Sequence, residues 1–378
     1  MNYHWRIAGF YFFYFAFVGM FAPYWSLYLK GLHFSAVEIS ILLSVQPIMR
    51  MIAPTIWGWL ADRSGRRLLV VQLSALAGAM CYLGVFFTVQ FYGMLLTLTL
   101  LSFFWSAAMP LVEATTLSYL GKNAAHYGRV RSWGSLGFIA VVLGLGYAFD
   151  YMSIDWILWV GLFIMTGILF FSFQLPGTEV VAHHSDAQPI SRIMLQKPVA
   201  AFFAACFLMA VAHGPYYTFF SIYLVEHGYS KSAVGWLWTV GVLCEIGVFF
   251  LMPWLSRHYT LAHILRVSFV CAMVRFCLIA WAVEFLPLLL FAQILHAATF
   301  GAFHAAAVAL VHKFFQGRHQ SQGQALFGSL TYGAGGMVGG LASGPLWQHW
   351  GAGMLYSCSA AAALLGLMLL WWKLDIKE

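Results

Sequence analysis

Runs of about twenty or more apolar residues, each closed by a short cluster of polar and turn-forming residues, repeat from one end of the chain to the other. Runs of that length suit the ~30 Å hydrocarbon core of a bilayer at ~1.5 Å rise per residue. The windows predict twelve membrane-spanning helices, near 7–29, 36–60, 68–89, 91–120, 129–149, 154–174, 198–225, 232–256, 262–283, 286–313, 322–346 and 352–372. The longest polar stretch, 176–197, follows the sixth and carries Glu179, His183, His184, Ser185 and Asp186. The pattern predicts an all-α membrane protein: a six-helix bundle over 1–175, a central loop over 176–197, and a second six-helix bundle over 198–378.

The two bundles read as pseudo-symmetric. Ser26-Leu27-Tyr28-Leu29 followed by Ser35-Ala36-Val37 is echoed by Ser221-Ile222-Tyr223-Leu224 followed by Ser232-Ala233-Val234, and Trp59-Leu60 by Trp254-Leu255. A parallel duplication of this kind suits transporters. Chance likeness between apolar segments is the competing explanation.

Composition removes several classes of function. With 62% hydrophobic and 8% charged residues, too few polar groups exist to cover a soluble surface. The net charge of +7 is dispersed over short loops, so it forms no nucleic-acid surface. Six cysteines lie in apolar segments without metal-ligand spacing, and neither a metal nor a cofactor is expected. No Walker loop, nucleophile elbow or zinc-protease helix is present, so no enzyme activity is expected. Gly335-Gly336-Met337-Val338-Gly339-Gly340 imitates a phosphate loop but sits inside an apolar window, where close helix packing is the better reading.

Basic residues orient the chain. Fifteen lysines and arginines fall in one set of loops and termini, and only Lys30 and Lys231 in the other. The positive-inside rule then places both termini and the central loop in the cytoplasm of a plasma (inner) membrane. The first apolar run, after Met1–Arg6, is expected to be a retained helix.

The densest charge cluster is Gly58-Trp59-Leu60-Ala61-Asp62-Arg63-Ser64-Gly65-Arg66-Arg67, between the second and third windows. It resembles the loop between helices 2 and 3 of the major facilitator superfamily, and that resemblance implies the major facilitator fold. Gly58 is expected to let helices approach, Asp62 to accept hydrogen bonds at a gate, and Arg63, Gly65, Arg66 and Arg67 to complete the basic turn.

Charges inside apolar windows cost about 2.5–3.5 kcal/mol on insertion scales. Arg50, Glu113, Arg131, Glu245 and Arg275 carry or approach that cost, so they are expected to face one another or a watery cavity. Glu113 and Arg131 lie nine residues either side of Lys122, which places them at similar depth on a hairpin. Such a pair either fastens the hairpin or holds substrate. Glu245 is an acid able to exchange a proton near His296 or His213, or else a permanent partner of Arg275 or Arg50.

Pro110-Leu111-Val112-Glu113-Ala114 and Tyr127-Gly128-Arg129-Val130-Arg131-Ser132-Trp133-Gly134 resemble the lactose permease branch of the superfamily. The resemblance gives Glu113 and Arg131 substrate-holding roles and Phe138 that of a stacking aromatic. Ala272-Met273-Val274-Arg275 and Leu295-His296 match that branch's helix-9 arginine and helix-10 histidine. Gln293 and Thr299 stand where the branch has a lysine and a proton-carrying glutamate, so coupling does not carry over residue by residue. Ala212-His213-Gly214-Pro215-Tyr216-Tyr217, Glu245 and Gln293-Ile294-Leu295-His296 look most like the 3-phenylpropionate transporter group.

The expected function is proton-coupled import of a small aromatic carboxylate by alternating access. Arg131, Arg275, Glu113 and His296 would contact substrate, with Phe138, Tyr216, Tyr217 and Trp25 around the ring. Glu245, Glu113, His296 and His213 are the candidate proton carriers. The expected partners are a small molecule, protons and the lipid bilayer, with no nucleic acid, for a monomer. A sugar or nucleoside symporter and a non-transporting membrane sensor are the alternatives.

The gate reading is testable from sequence alone. Asp62 is expected to accept hydrogen bonds near Gln322 and Gly323 while the cytoplasmic side is shut. Asp62→Asn should weaken that contact by about 1–2 kcal/mol. The population should shift towards the inward-open state by about five- to thirty-fold, cysteine labelling of inward-facing positions should rise in parallel, and uptake should fall with little change in binding. Lost binding with unchanged labelling would remove the gate role.

Overall fold

The computed structural model describes residues 4–121, 126–177 and 191–373. Lys122, Lys377 and the polar run with Glu179, His183, His184, Ser185 and Asp186 lie outside the described residues. In hydrocarbon every backbone N–H and C=O must be satisfied internally, and an apolar chain does this as helix. The first six are α1 (His4–Gly31), α2 (Ala36–Ser64), α3 (Arg67–Leu83), α4 (Phe91–Leu120), α5 (Tyr127–Tyr151) and α6 (Ile157–Ser172). Then come α7 (Lys197–Glu226), α8 (Lys231–His258), α9 (Leu261–Trp281) and α10 (Leu286–Phe314).

The remaining span, Gln320–Trp372, is 53 residues of apolar helix. A straight helix of that length would extend about 80 Å, far beyond one ~30 Å hydrocarbon layer. Gly351, at φ 76° and ψ 179°, breaks it into α11 (320–350) and α12 (352–373). The eleven apolar stretches among the described residues therefore supply twelve spans. Several helices outrun their apolar windows; α2 continues through Asp62 and Arg63 to Ser64, because polar residues can extend a helix into the interface.

Helices α1–α6 form one compact unit, which also takes in Ser230–Gly235 at the start of α8. The rest of α8, with α7 and α9–α12, forms a second. In the first unit α1 packs along α5 and α6, and α4 packs on α2 and α3. The α1–α5 crossing is close enough that a Cβ on Gly137 would strike the Phe12 carbonyl. In the second unit α7 crosses α11 in the same manner: a Cβ on Gly214 would run into Gly339, and one on Gly339 into Val211. Backbone contact across small residues is a usual way to join helices in lipid. The glycine series of α11 is thus part of a helix crossing.

Serine caps start both α2 and α8. Ser35 and Glu38 form a capping box at α2, with Ser35 N donating to Glu38 Oε2 at 2.8 Å. Glu38 N donates in return to Ser35 Oγ at 3.3 Å, and at α8 the bond that matches this one runs from Ala233 N to Ser230 Oγ at 3.1 Å, so the capping role falls two residues before Ser232, the counterpart of Ser35 in the sequence echo. The start of α8 is held further by Asp150 Oδ1, which accepts from Lys231 N at 2.8 Å.

The α2–α3 turn follows from Gly65, which takes φ 62° and sends its N–H to the Asp62 carbonyl at 3.4 Å. Asp62, Arg63 and Arg66 are exposed, Arg67 opens α3, and the Arg63 guanidinium lies 5.5 Å from the Trp59 ring centre. A Cβ on Gly58 would meet nothing within 4 Å. The close approach expected at Gly58 is therefore not seen there; it occurs at Gly137 and Gly214, where backbone meets backbone.

Gly137→Val should destabilise the protein by about 1–3 kcal/mol through overpacking of the α1–α5 crossing. Gly144→Val, on the same helix but with open space around its Cβ position, should leave the detergent melting temperature unchanged. Equal melting of the two variants would contradict the crossing's role.

Candidate functional site

In the second unit the guanidinium of Arg275, on α9, has no exposed surface. Its Nε donates to the Ala292 carbonyl at 3.2 Å, and Nη1 reaches His213 Nε2 at 3.2 Å and Thr299 Oγ1 at 3.4 Å. The Tyr216 ring lies under it, 4.2 Å from ring centre to guanidinium carbon. Nη2 has no hydrogen-bond partner. Among the described residues no carboxylate lies within ion-pair distance of Arg275. A full positive charge is thus held by neutral groups and the aromatic rings of Tyr216 and Phe276.

The geometry fixes the state of His213. Its Nδ1 sits 2.8 Å from the Met209 carbonyl, which can only accept, so Nδ1 carries the proton. Nε2 is then the acceptor for Arg275 and Thr299. A second proton on Nε2 would point at the guanidinium. His213 is therefore a neutral prop for Arg275.

His296 lies beside this group on α10. Its Nε2 is 3.9 Å from Glu245 Oε2 on α8, and its buried Nδ1 has no partner. Tyr216 donates to Gln293 Oε1 at 2.9 Å, leaving the Gln293 amide nitrogen unsatisfied. Tyr216 also packs on Trp238, with centroids 4.8 Å apart, and Tyr217 is 38% exposed beside them.

The rings form a column along α10. Tyr216, His296, Phe300 and His304 lie face to face, at centroid spacings of 5.8, 5.4 and 6.4 Å. His304 Nδ1 then meets the Tyr332 hydroxyl at 2.8 Å. Residues four apart drift around an ordinary α-helix by about 40° per step. The π segment Ala297–Ala302 turns less per residue and offsets that drift.

The first unit has its own charged group. Tyr127 donates to Glu113 Oε1 at 3.2 Å. The Arg131 guanidinium lies over the Phe15 ring at 3.8 Å and near Tyr11 at 5.6 Å. Glu113 and Arg131 are electrostatic neighbours on α4 and α5, both half-buried, yet each engages an aromatic residue. Phe138 is buried, and its backbone abuts Gly19 of α1. Trp25 is fully buried against Phe21, and Arg50 is exposed on α2.

The structure thus gathers Arg275, His213, Tyr216, Tyr217, His296 and Glu245 in one unit, and Glu113 and Arg131 in the other. In the sequence Thr299 and Gln293 stand out only as departures from a pattern. Both point into the cluster, three residues either side of His296, a spacing that already placed them on its helix face. Phe15, Phe300, Trp238 and Tyr332 gave no signal beyond being aromatic, and Tyr127 was visible only as the first residue of the motif that holds Arg131. No group of His, Cys, Asp or Glu among the described residues could hold a metal.

Comparison with known proteins agrees with this architecture. The chain is 29% identical over 368 residues to a probable 3-phenylpropionic acid transporter of Escherichia coli (strain K12), covering 95% of this chain and 94% of that protein. It is 25% identical over 374 residues to a maltose permease of Geobacillus stearothermophilus, covering 96% and 92%. The crystal structure of the nucleoside transporter NupG superposes over all of both chains with a TM-score of 0.87 at 18% identity, a likeness of fold. The profile of the MFS_1 like family matches residues 4–358, and the chain belongs to that family: it is a multi-pass membrane transporter of the major facilitator type.

Proposed function

We propose that this transporter imports a small aromatic carboxylate together with a proton, by alternating access across an inner membrane, with both termini cytoplasmic. The observation that carries this reading is Arg275: a buried cation without a carboxylate partner, one guanidinium nitrogen unsatisfied, beside a column of aromatic rings. A substrate carboxylate supplies the missing counter-charge, and its ring finds matching faces at Tyr216, His296 and Phe300. The 29% identical relative named for 3-phenylpropionic acid supports the same chemistry.

Coupling follows from charge. An anion entering a negative interior works against about 2.3 kcal/mol per charge per 100 mV. One accompanying proton removes that term. Glu245, paired at 3.9 Å with His296, is the proposed carrier, with Glu113 beside Tyr127 as the second acid. His213 is left out of the proton path because its Nδ1 is committed to Met209 and its Nε2 faces Arg275.

A second reading has one observation in its favour. The unsatisfied amide nitrogen of Gln293 suits a hydroxyl or neutral carbonyl acceptor, as in a nucleoside or sugar, and the NupG fold is of that kind. Uptake into energised vesicles separates the two. Labelled 3-phenylpropionate should accumulate and uridine and maltose should not; accumulation of uridine alone would establish the second reading.

Arg275→Lys should weaken transport of the acid at least tenfold, because a point charge cannot replace the guanidinium fork. Wild-type transport by this variant would contradict the carboxylate role. Glu113→Gln and Arg131→Ala should each abolish uptake while membrane insertion persists; normal uptake would show a fastening role only. Glu245→Gln should lose pH-driven accumulation yet keep exchange of internal for external substrate. Accumulation against a gradient by that variant would transfer the proton to Glu113.

A further inference from the structure

In the first unit, a cavity of about 690 Å³ lies where α1 and α5 begin and α6 ends. Its inner part is apolar, lined by Gly9, Phe12, Phe13 and Phe171. Phe171 stacks on Phe13 at 5.6 Å and leans over Gly9, where a Cβ would strike its ring. Its mouth is basic, with His4, His126 and Arg129, and none of its lining residues is acidic. Trp5 and Trp133, 56% and 48% exposed, flank it as rings do at the headgroup level of a bilayer.

The depth fits a lipid. His4 and Phe13 are nine residues apart on α1, about 13–14 Å at 1.5 Å per residue. One leaflet of a ~30 Å hydrocarbon core is about 15 Å. The mouth also fits a phosphate. Helix α5 begins at Tyr127 with no acid in its first turn, and its N-cap residue His126 makes no side-chain capping bond. The helix dipole is positive at this end, and the His126 side chain does not cap it.

We propose that this cavity seats an anionic glycerophospholipid. The phosphate lies against Arg129, His126 and the start of α5, and one acyl chain runs along Phe12, Phe13 and Phe171. The two arginines of Gly128-Arg129-Val130-Arg131 then divide their work. They stand about 200° apart around α5. Arg129 lines the lipid cavity, while Arg131 lies over Phe15. The lipid would also touch Phe12, whose carbonyl abuts Gly137 at the α1–α5 crossing, so its occupancy bears on that crossing.

Native mass spectrometry of the purified full-length protein with equimolar phosphatidylglycerol and phosphatidylethanolamine of matched chains tests this. Wild type should retain phosphatidylglycerol about fivefold or more in preference, and added salt should reduce that preference. Arg129→Gln should bring the two lipids to parity, and His126→Gln should lower the preference in part. Arg129→Lys, which keeps the charge, should retain most of it. Arg257→Gln, in the last turn of α8, should behave as wild type. An undiminished preference in Arg129→Gln would overturn the assignment, as would equal retention of both lipids by wild type. Displacement of the lipid by millimolar glycerol phosphate would also overturn it, since the chains would then contribute nothing.

Discussion

A guanidinium shut away from water must find acceptors or a counter-charge, and the interior of the second unit is organised around that requirement. Arg275 comes from α9, His213 and Tyr216 from α7, and Ala292 and Thr299 from α10. Each provides a lone pair or a ring face, and none provides a negative charge. The π segment of α10 belongs to the same arrangement, because it keeps His296, Phe300 and His304 in one column beside the cation. The glycines of α7 and α11 let the helix that carries His213 lie backbone to backbone with its neighbour.

The first unit solves a related problem differently. Arg131 rests on Phe15 and Tyr11, and Glu113 accepts from Tyr127, so both charges stay half-buried with aromatic partners. Half-buried charges can meet a solute without first losing a strong ion pair, whereas a tight pair would have to be broken. The two units share a scheme of glycine-mediated crossings, yet they dispose their charges differently.

Much of this fold was legible in the sequence, because hydrocarbon thickness sets a length that a helix of given rise must match. Windows of hydropathy found the spans, and the charged cluster 58–67 marked the turn that Gly65 makes at positive φ. The division of the last 53-residue helix was legible as the gap between the windows 322–346 and 352–372, and the backbone angles of Gly351 fix the break at one residue within it. Gly58 and Gly137 look alike in sequence; only three-dimensional packing separates the open position from the crowded one. Ser230 rather than Ser232 caps α8 because a hydroxyl must reach an N–H three residues on, which identity between repeats does not encode. The charged residues of the site were visible as costly exceptions in apolar windows. Their neutral partners were not, since Thr299 and Gln293 carry no such cost.

The central claim is that Arg275 awaits the negative charge of a substrate. Calorimetric titration of the purified protein with 3-phenylpropionate and with its neutral amide, 3-phenylpropionamide, tests it most directly. The two ligands share ring, chain length and shape, and differ in the charge at one end. Loss of a buried charge-assisted pair is worth about 2–5 kcal/mol, so the acid should bind at least about thirtyfold more tightly than the amide. Equal affinities, or tighter binding of the amide, would contradict the account.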